Sequence, residues 1–142
     1  MASIRVLIAD DHALFAKTLE ALLAGESSLE VVGVASDGLE AVGLSAALAP
    51  DVVLMDADMP RLDGFAATRR ICGLGLGTAV LVLTASGDAR KSQQAREAGA
   101  LGYLPKDRIG EALVPASLSV AAARGRLSAD GGADFAGRAR VG

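Results

Sequence analysis

The chain has 142 residues, the size of one domain, and it is 51% hydrophobic but only 3% aromatic, so its core must be built of Val, Leu, Ile and Ala. A formal net charge of −3 argues against a dedicated nucleic-acid surface within these residues. No apolar run approaches the roughly 20 residues of a membrane helix, no basic-then-apolar leader opens the chain, and the single cysteine, Cys72, excludes an internal disulfide and a thiolate metal cluster, so a cytoplasmic protein is expected.

Ile4 to Ala9 is an apolar run of strand length, closed by Asp10-Asp11. Leu14, Leu19, Leu22 and Leu23 then recur near helical spacing, with Gly25 as the stop. Leu29 to Ala35 reads as a second strand. Asp37-Gly38 marks a turn, and Asp37 suits the cap of a helix on which Leu39, Val42, Ala46 and Leu48 share one face. Pro50 ends that helix. Val52-Val53-Leu54-Met55 is a third strand that stops at Asp56. Asp63-Gly64-Phe65 opens a helix running to about Gly73. Thr78 to Ala85 is nearly all apolar, which marks a central strand. Asp88 to Ala98 is polar and charged, a helix with Ala95 and Ala98 as its thin apolar side and Gly99 closing it. Leu101 to Pro105 is a short fifth strand.

A last helix should come next, but it contains Pro115. An interior proline removes a backbone hydrogen bond and clashes with the previous turn. The helical pattern runs from Ile109 to Arg124, so the helix either kinks at Pro115 or begins there; a start near Pro115 is expected, with residues 108–114 as a loop or short turn. Residues 126–142 are rich in Gly and Ala and read as a linker or frayed tail.

Five strand–helix units need long crossovers, and such crossovers are right-handed, so the sheet is parallel. The simplest closed arrangement is an α/β fold, a flavodoxin-like doubly wound five-stranded sheet in the order 2-1-3-4-5 with five helices. Functional groups in such sheets gather outside the carboxyl ends of the strands. There the first strand delivers Asp10 and Asp11, the third Asp56 with Asp58 in the next loop, the fourth Thr84 and the fifth Lys106. Packed carboxylates repel unless a cation lies between them. Hard oxygen ligands suit Mg²⁺. Thr84 and Lys106 are donors, and donors beside a metal-bound carboxylate cradle a transferring phosphoryl group. A carboxylate can itself be the nucleophile, and Asp56 is the best placed. Each residue alone has a plainer reading. Asp10 and Asp11 could be helix caps, Thr84 an ordinary strand residue, Lys106 a solvated charge, His12 a surface or capping group, and Cys72 a small filler.

Four stretches carry a family resemblance: VLIADDH at 6–12, VVLMDADMPRLDG at 52–64, VLTAS at 82–86 and GYLPKD at 102–107. Together they resemble the receiver domain of two-component response regulators, which would occupy residues 1–125. The spellings DDH and GYL-x-KD are similar to the NarL/LuxR-type subfamily, whose members usually carry a helix-turn-helix DNA-binding domain after the receiver. Residues 126–135 resemble the linker before such a domain. The resemblance implies that Asp56 accepts a phosphoryl group from a sensor histidine kinase. It implies Mg²⁺ held by Asp11, Asp56 and the Asp58 backbone carbonyl, with Asp10 acting through water. Thr84 would bond a phosphoryl oxygen, Lys106 would pair with the acceptor site, and Tyr103 would be the switch aromatic. The implied role is a phosphoacceptor that dephosphorylates itself rather than an enzyme, with transcription as its output. DNA would be touched only through a C-terminal domain outside this chain, and a homodimer is among the implied assemblies. A stand-alone receiver acting by protein contacts is the alternative.

Two departures matter. Leu54-Met55-Asp56-Ala57-Asp58 also resembles the nucleophile motif of haloacid dehalogenase-type phosphatases, in which the second Asp is a general acid/base. That offers a rival phosphohydrolase reading and makes Asp58 a candidate modulator of hydrolysis. Pro105 precedes Lys106, where many receivers place the proline after the lysine, and a trans Leu104–Pro105 bond is expected.

Overall fold

The computed structural model describes residues 3–85 and 87–130, with side chains described through Arg124. Five strands alternate with five helices: β1 (Ile4–Ala9), α1 (Ala13–Ala24), β2 (Leu29–Ala35), α2 (Gly38–Leu48), β3 (Val52–Asp56), α3 (Gly64–Gly73), β4 (Ala79–Thr84), α4 (Ala89–Ala98), β5 (Gly102–Pro105) and α5 (Ile109–Asp130). A short 3₁₀ turn, Lys106–Arg108, joins β5 to α5. The strands form one parallel sheet in the order β2-β1-β3-β4-β5, the order read from the sequence.

Strand alternation sorts the core into two layers. Val6, Ile8, Val52, Leu54, Leu81 and Leu83 face one side, where α1 and α5 cover them. Leu7, Ala9, Val53, Met55, Val80 and Val82 face the other, under α2, α3 and α4. Every residue of β3 and β4 is buried, which is why both read as unbroken apolar runs. Three helices begin on aspartate caps. Asp37 accepts from the Glu40 N–H, Asp63 from the Ala66 N–H and Asp88 from the Lys91 N–H, each at 2.8–2.9 Å. Each such cap stabilises by about 1 kcal/mol.

Two helix faces differ from expectation. Leu14 is 80% exposed, while Leu19 and Leu23 are buried as expected, Leu22 packs against the core, and Ala16 joins them. On α2, Leu39 and Ala46 are exposed, while Gly38, Ala41 and Ser45 are buried. The cause is close approach. A Cβ on Gly38 would fall 1.9 Å from the Leu62 carbonyl oxygen. Small residues therefore line the closest contact, while Val42 and Leu48 of the expected face pack against the edge of the core.

The last helix is the largest correction. α5 starts at Ile109, not near Pro115, and Pro115 lies inside it. Ala112, Leu113, Ala116, Val120 and Ala123 form its buried stripe. A buried leucine alone is worth about 1.5–3 kcal/mol, which offsets the roughly 3 kcal/mol cost of an interior proline. Pro115 and Glu111 both lie on the exposed face, so the Glu111 carbonyl that loses its helical donor faces water. Arg124 pins the far part of α5 by pairing with Asp51 at 3.3 Å and donating to the Gly77 carbonyl. The helix continues past Gly125 to Asp130, so the expected change of structure at residue 126 does not coincide with a helix end. Residues 131–142, most of the expected linker, lie outside the described residues. No described peptide bond is cis, and Leu104–Pro105 is trans as expected.

Candidate functional site

The site is built from the carboxyl ends of β1, β3, β4 and β5. Asp10 continues β1 by one residue, its N–H donating to the Ala35 carbonyl at 3.0 Å. Its carboxylate Oδ1 then accepts the His12 N–H at 2.8 Å, which turns the chain into α1. Asp11, one residue on, is exposed at the rim. Asp56 ends β3 and is 1% exposed. Its Oδ1 accepts the Asp58 N–H at 3.2 Å.

The loop after Asp56 folds back tightly. The Ala57 N–H donates to Leu83 on β4, and the Gly64 N–H donates to Ala57, both at 2.9 Å. A Cβ on Gly64 would lie 2.1 Å from the Asp56 carbonyl oxygen, so only glycine fits there. The first turn of α3 is thus clamped against the end of β3.

Lys106 enters from the 3₁₀ turn. Its Nζ lies 3.2 Å from Asp56 Oδ1 and 3.5 Å from Asp10 Oδ2. The same ammonium stands 4.5 Å from the centre of the Phe15 ring, which projects from α1. Thr84 is buried at the end of β4, one residue beyond the partner of Asp56, and pairs with Pro105. Tyr103 is buried on β5, and its hydroxyl donates to the Asp88 carbonyl at 3.3 Å. Asp10, Asp11, Asp56 and Lys106 therefore converge, Thr84 lies on the neighbouring strand end, and Tyr103 points into the layer under α4. Asp58 is exposed beside Asp56, tied to it through its backbone N–H. Ser86, at the end of the VLTAS stretch, lies outside the described residues.

The electrostatics are unbalanced. Burial pushes the Asp56 carboxyl above the usual carboxylate value, and the Asp10 charge adds to it. The Asp58 N–H and the Lys106 ammonium oppose this shift without cancelling it. Asp10 Oδ2 and Asp56 Oδ2 are buried without a hydrogen-bond partner. An unsatisfied buried acceptor costs about 1–3 kcal/mol, and more when charged. Ligand atoms of Asp10, Asp11, His12 and Asp56 lie within 4.8 Å of one another. Three carboxylates, with Asp56 Oδ2 open and Asp10 Oδ2 held only by the Lys106 ammonium at 3.5 Å, fit a hard divalent cation such as Mg²⁺.

Two features escaped the sequence reading. The His12 ring does not cap α1 but leans over the acids, with Nδ1 3.4 Å from Asp10 and 3.3 Å from Asp11. Phe15 was hidden among the apolar residues of α1. Its only signal is its place in the first turn of α1, just after the acids.

Residues 6–116 match the model of the response regulator receiver domain. The chain belongs to the response regulator receiver family. It is 46% identical over 103 residues to the transcriptional regulatory protein LiaR of Bacillus subtilis strain 168, covering 72% of this chain and 49% of LiaR. The structure superposes on the signal receiver domain of the putative response regulator NarL from Mycobacterium tuberculosis with a TM-score of 0.76 at 34% identity, covering 83% of this chain and 98% of that one. A two-component response regulator of the LuxR family from Aurantimonas sp. SI85-9A1 gives a TM-score of 0.81 at 30% identity, covering 85% and 86%. The receiver is thus of the NarL/LuxR type, and the chain spans about half of LiaR. The dehalogenase-type reading falls away, since Asp56 ends the third strand of a receiver sheet.

Proposed function

We propose that Asp56 accepts a phosphoryl group from the phosphohistidine of a sensor histidine kinase, and that this modification switches an output. The observation that carries the reading is the Asp56 carboxylate itself. It is buried at a rigid strand end, with one oxygen engaged by Lys106 and the Asp58 N–H and the other open. In the transfer an Asp56 oxygen–phosphorus bond forms. The phosphorus–nitrogen bond of the donor breaks, and its electron pair leaves with the imidazole. Asp11, Asp56 and the Asp58 carbonyl would hold Mg²⁺, with Asp10 acting through water. The cation, when bound, supplies charge neutralisation for the phosphoryl oxygens. Lys106 donates to the incoming phosphoryl group, and the Thr84 hydroxyl bonds it once it is in place. Tyr103, which packs beneath the β4 end, reports that contact to α4, giving a two-state element biased by one hydrogen bond.

Residues 1–125 act as the phosphoacceptor unit, and residues 126–142 connect it to an output domain. The output is transcription, through a DNA-binding domain that is separate from these residues, with a homodimer as the active assembly. LiaR bears the name of a transcriptional regulatory protein. The place of action is the cytoplasm; among the described residues no helix is long and apolar enough to cross a membrane. The protein turns over no external substrate. Its only hydrolysis is that of its own acyl phosphate.

The test is incubation with Mg²⁺ and acetyl phosphate, then intact mass and a count of released phosphate, on wild type and Asp56→Asn. One added phosphoryl group that needs both Mg²⁺ and Asp56 supports the reading. Neither adduct nor released phosphate, with the small donor or with a histidine kinase, would overturn it.

A further inference from the structure

Among the described residues, the Lys106 ammonium faces two carboxylates, Asp10 and Asp56, and a third group that is not one. The third is the Phe15 ring, at 4.5 Å from the ammonium to the ring centre. Phe15 is half-buried and packs against the core layer beneath α1 and α5, so its ring is held from below. The Lys106 side chain is only 22% exposed. The side chain is therefore largely out of water, where a cation over an aromatic face is worth more than at an exposed site.

We propose that Phe15 is a positioning residue for phosphoryl acceptance. Its ring is the seat that holds the Lys106 ammonium over Asp56 while the ammonium changes partners. This rests on the phosphoacceptor reading of Asp56. In the resting state the ammonium bridges Asp56 and Asp10. When Asp56 is esterified, one of those charges changes place, and the ammonium must move with the phosphoryl oxygen. The carboxylate contact at Asp56 is exchanged for a phosphoryl oxygen in such a move. The ring face is a partner that takes no part in the exchange, so it can hold the ammonium throughout. Phe15 also adds no charge. A carboxylate in its place would compete for Lys106 and repel the incoming phosphate. The bare alternative is that Phe15 only fills space beneath α1.

Two measurements separate these. The first needs no phosphorylation. In NMR spectra of the resting protein, the Lys106 Cε protons should be shifted upfield by the ring, and Phe15→Leu should return them to ordinary values. Ordinary Lys106 shifts in the wild type would overturn the seat, whatever Asp56 does. The second is the rate of acetyl phosphate labelling at saturating Mg²⁺. Phe15→Leu should slow it by about two- to thirty-fold, and Phe15→Tyr should restore it. A Phe15→Leu variant that loses thermal stability but labels at the wild-type rate would show a filler and overturn the proposal. So would a Phe15→Tyr variant as slow as Phe15→Leu. Upfield Lys106 protons in a wild type that takes no phosphoryl group from any donor would sink the phosphoacceptor reading. The role given to the ring would fall with it, although the contact itself would stand.

Discussion

Gly64 is the position where fold and chemistry are most tightly joined, and its replacement by alanine has a calculable effect. The added Cβ would lie 2.1 Å from the Asp56 carbonyl oxygen, 2.7 Å from Ala57 Cα and 2.8 Å from the Asp56 carbonyl carbon. Non-bonded carbon contacts are comfortable at about 3.5–4.0 Å, so something must move by roughly 1 Å. All three atoms are backbone, and no flexible side chain can yield. Overpacking costs about 1–3 kcal/mol, and a wholly backbone clash belongs at the upper end. For a domain of this size that lowers the melting temperature by about 4–11 °C. The backbone that moves carries Asp56, now 3.2 Å from Lys106. A misplacement near 1 Å can cost about a hundred-fold in rate, so phosphoryl labelling should fall by that order. The assay is calorimetry with intact-mass labelling kinetics, beside Gly43→Ala as the control. Gly43 lies exposed on α2 with nothing within 4 Å of an added Cβ, so alanine there should stabilise by about 0.5–1 kcal/mol. A Gly64→Ala protein that melts within 2 °C of wild type, taking about that as assay error, and labels at the wild-type rate would refute the reasoning.

Asp56→Asn should raise stability at neutral pH in the presence of a chelator. The folded carboxyl is held above its usual value, chiefly by burial and then by Asp10. Its stabilising contribution is therefore complete below the unfolded value and is lost as pH rises through the folded one. The advantage of the variant should thus shrink as pH falls toward 3.8, the ordinary carboxyl value, and an advantage that grows on acidification would contradict the sign. Asp58→Asn should lengthen the acyl phosphate lifetime, because the exposed carboxylate beside Asp56 can orient or deprotonate the attacking water; decay tracked by intact mass would show an unchanged or shorter lifetime if that role is wrong. Pro115→Ala should restore the donor to the Glu111 carbonyl and stabilise by about 1–3 kcal/mol without altering labelling. Denaturant unfolding of this variant with a lower midpoint would argue against a continuous α5.

What the sequence disclosed depended on the kind of physics involved. β3 and β4 were legible because burial on both faces leaves an unbroken apolar run. The acids were legible because a parallel sheet sends the residue after each strand to one rim, and Asp10, Asp56 and Lys106 meet there. Helix faces were harder. Leu14 and Leu39 looked like core by bulk, yet α1 and α2 approach the sheet and α3 through Ala16, Gly38, Ala41 and Ser45. Close approach selects small residues, and a reading that counts large apolar side chains cannot see it. α5 was misjudged because a local cost at Pro115 was weighed without the stripe that opposes it. Phe15 was invisible for another reason. Its contact with Lys106 joins the first helix to the turn after the last strand, and no local pattern encodes a pair so far apart.

The two ends of the sheet show what the open oxygens are for. At the amino-terminal end Asp51 is fully engaged. One oxygen accepts the Arg5 N–H at 2.8 Å, and the other pairs with Arg124 at 3.3 Å. That carboxylate ties β1, β3 and α5 together and has nothing left to offer. At the carboxyl-terminal end Asp10 and Asp56 are more deeply buried than Asp51, yet each keeps one oxygen without a hydrogen bond. Burial would normally favour full satisfaction at the deeper site. The Arg5 N–H and the Arg124 guanidinium show how a carboxylate on this sheet is closed off. A guanidinium at Asp56 would lower its pKa. It would also occupy the lone pairs that a nucleophile must present and the space that a cation and a phosphoryl group must enter. Lys106 engages one oxygen of Asp56 through a single movable ammonium, and that leaves the other free. The open Asp56 oxygen is a deficit in the resting fold, and it lies where the new bond to phosphorus would form.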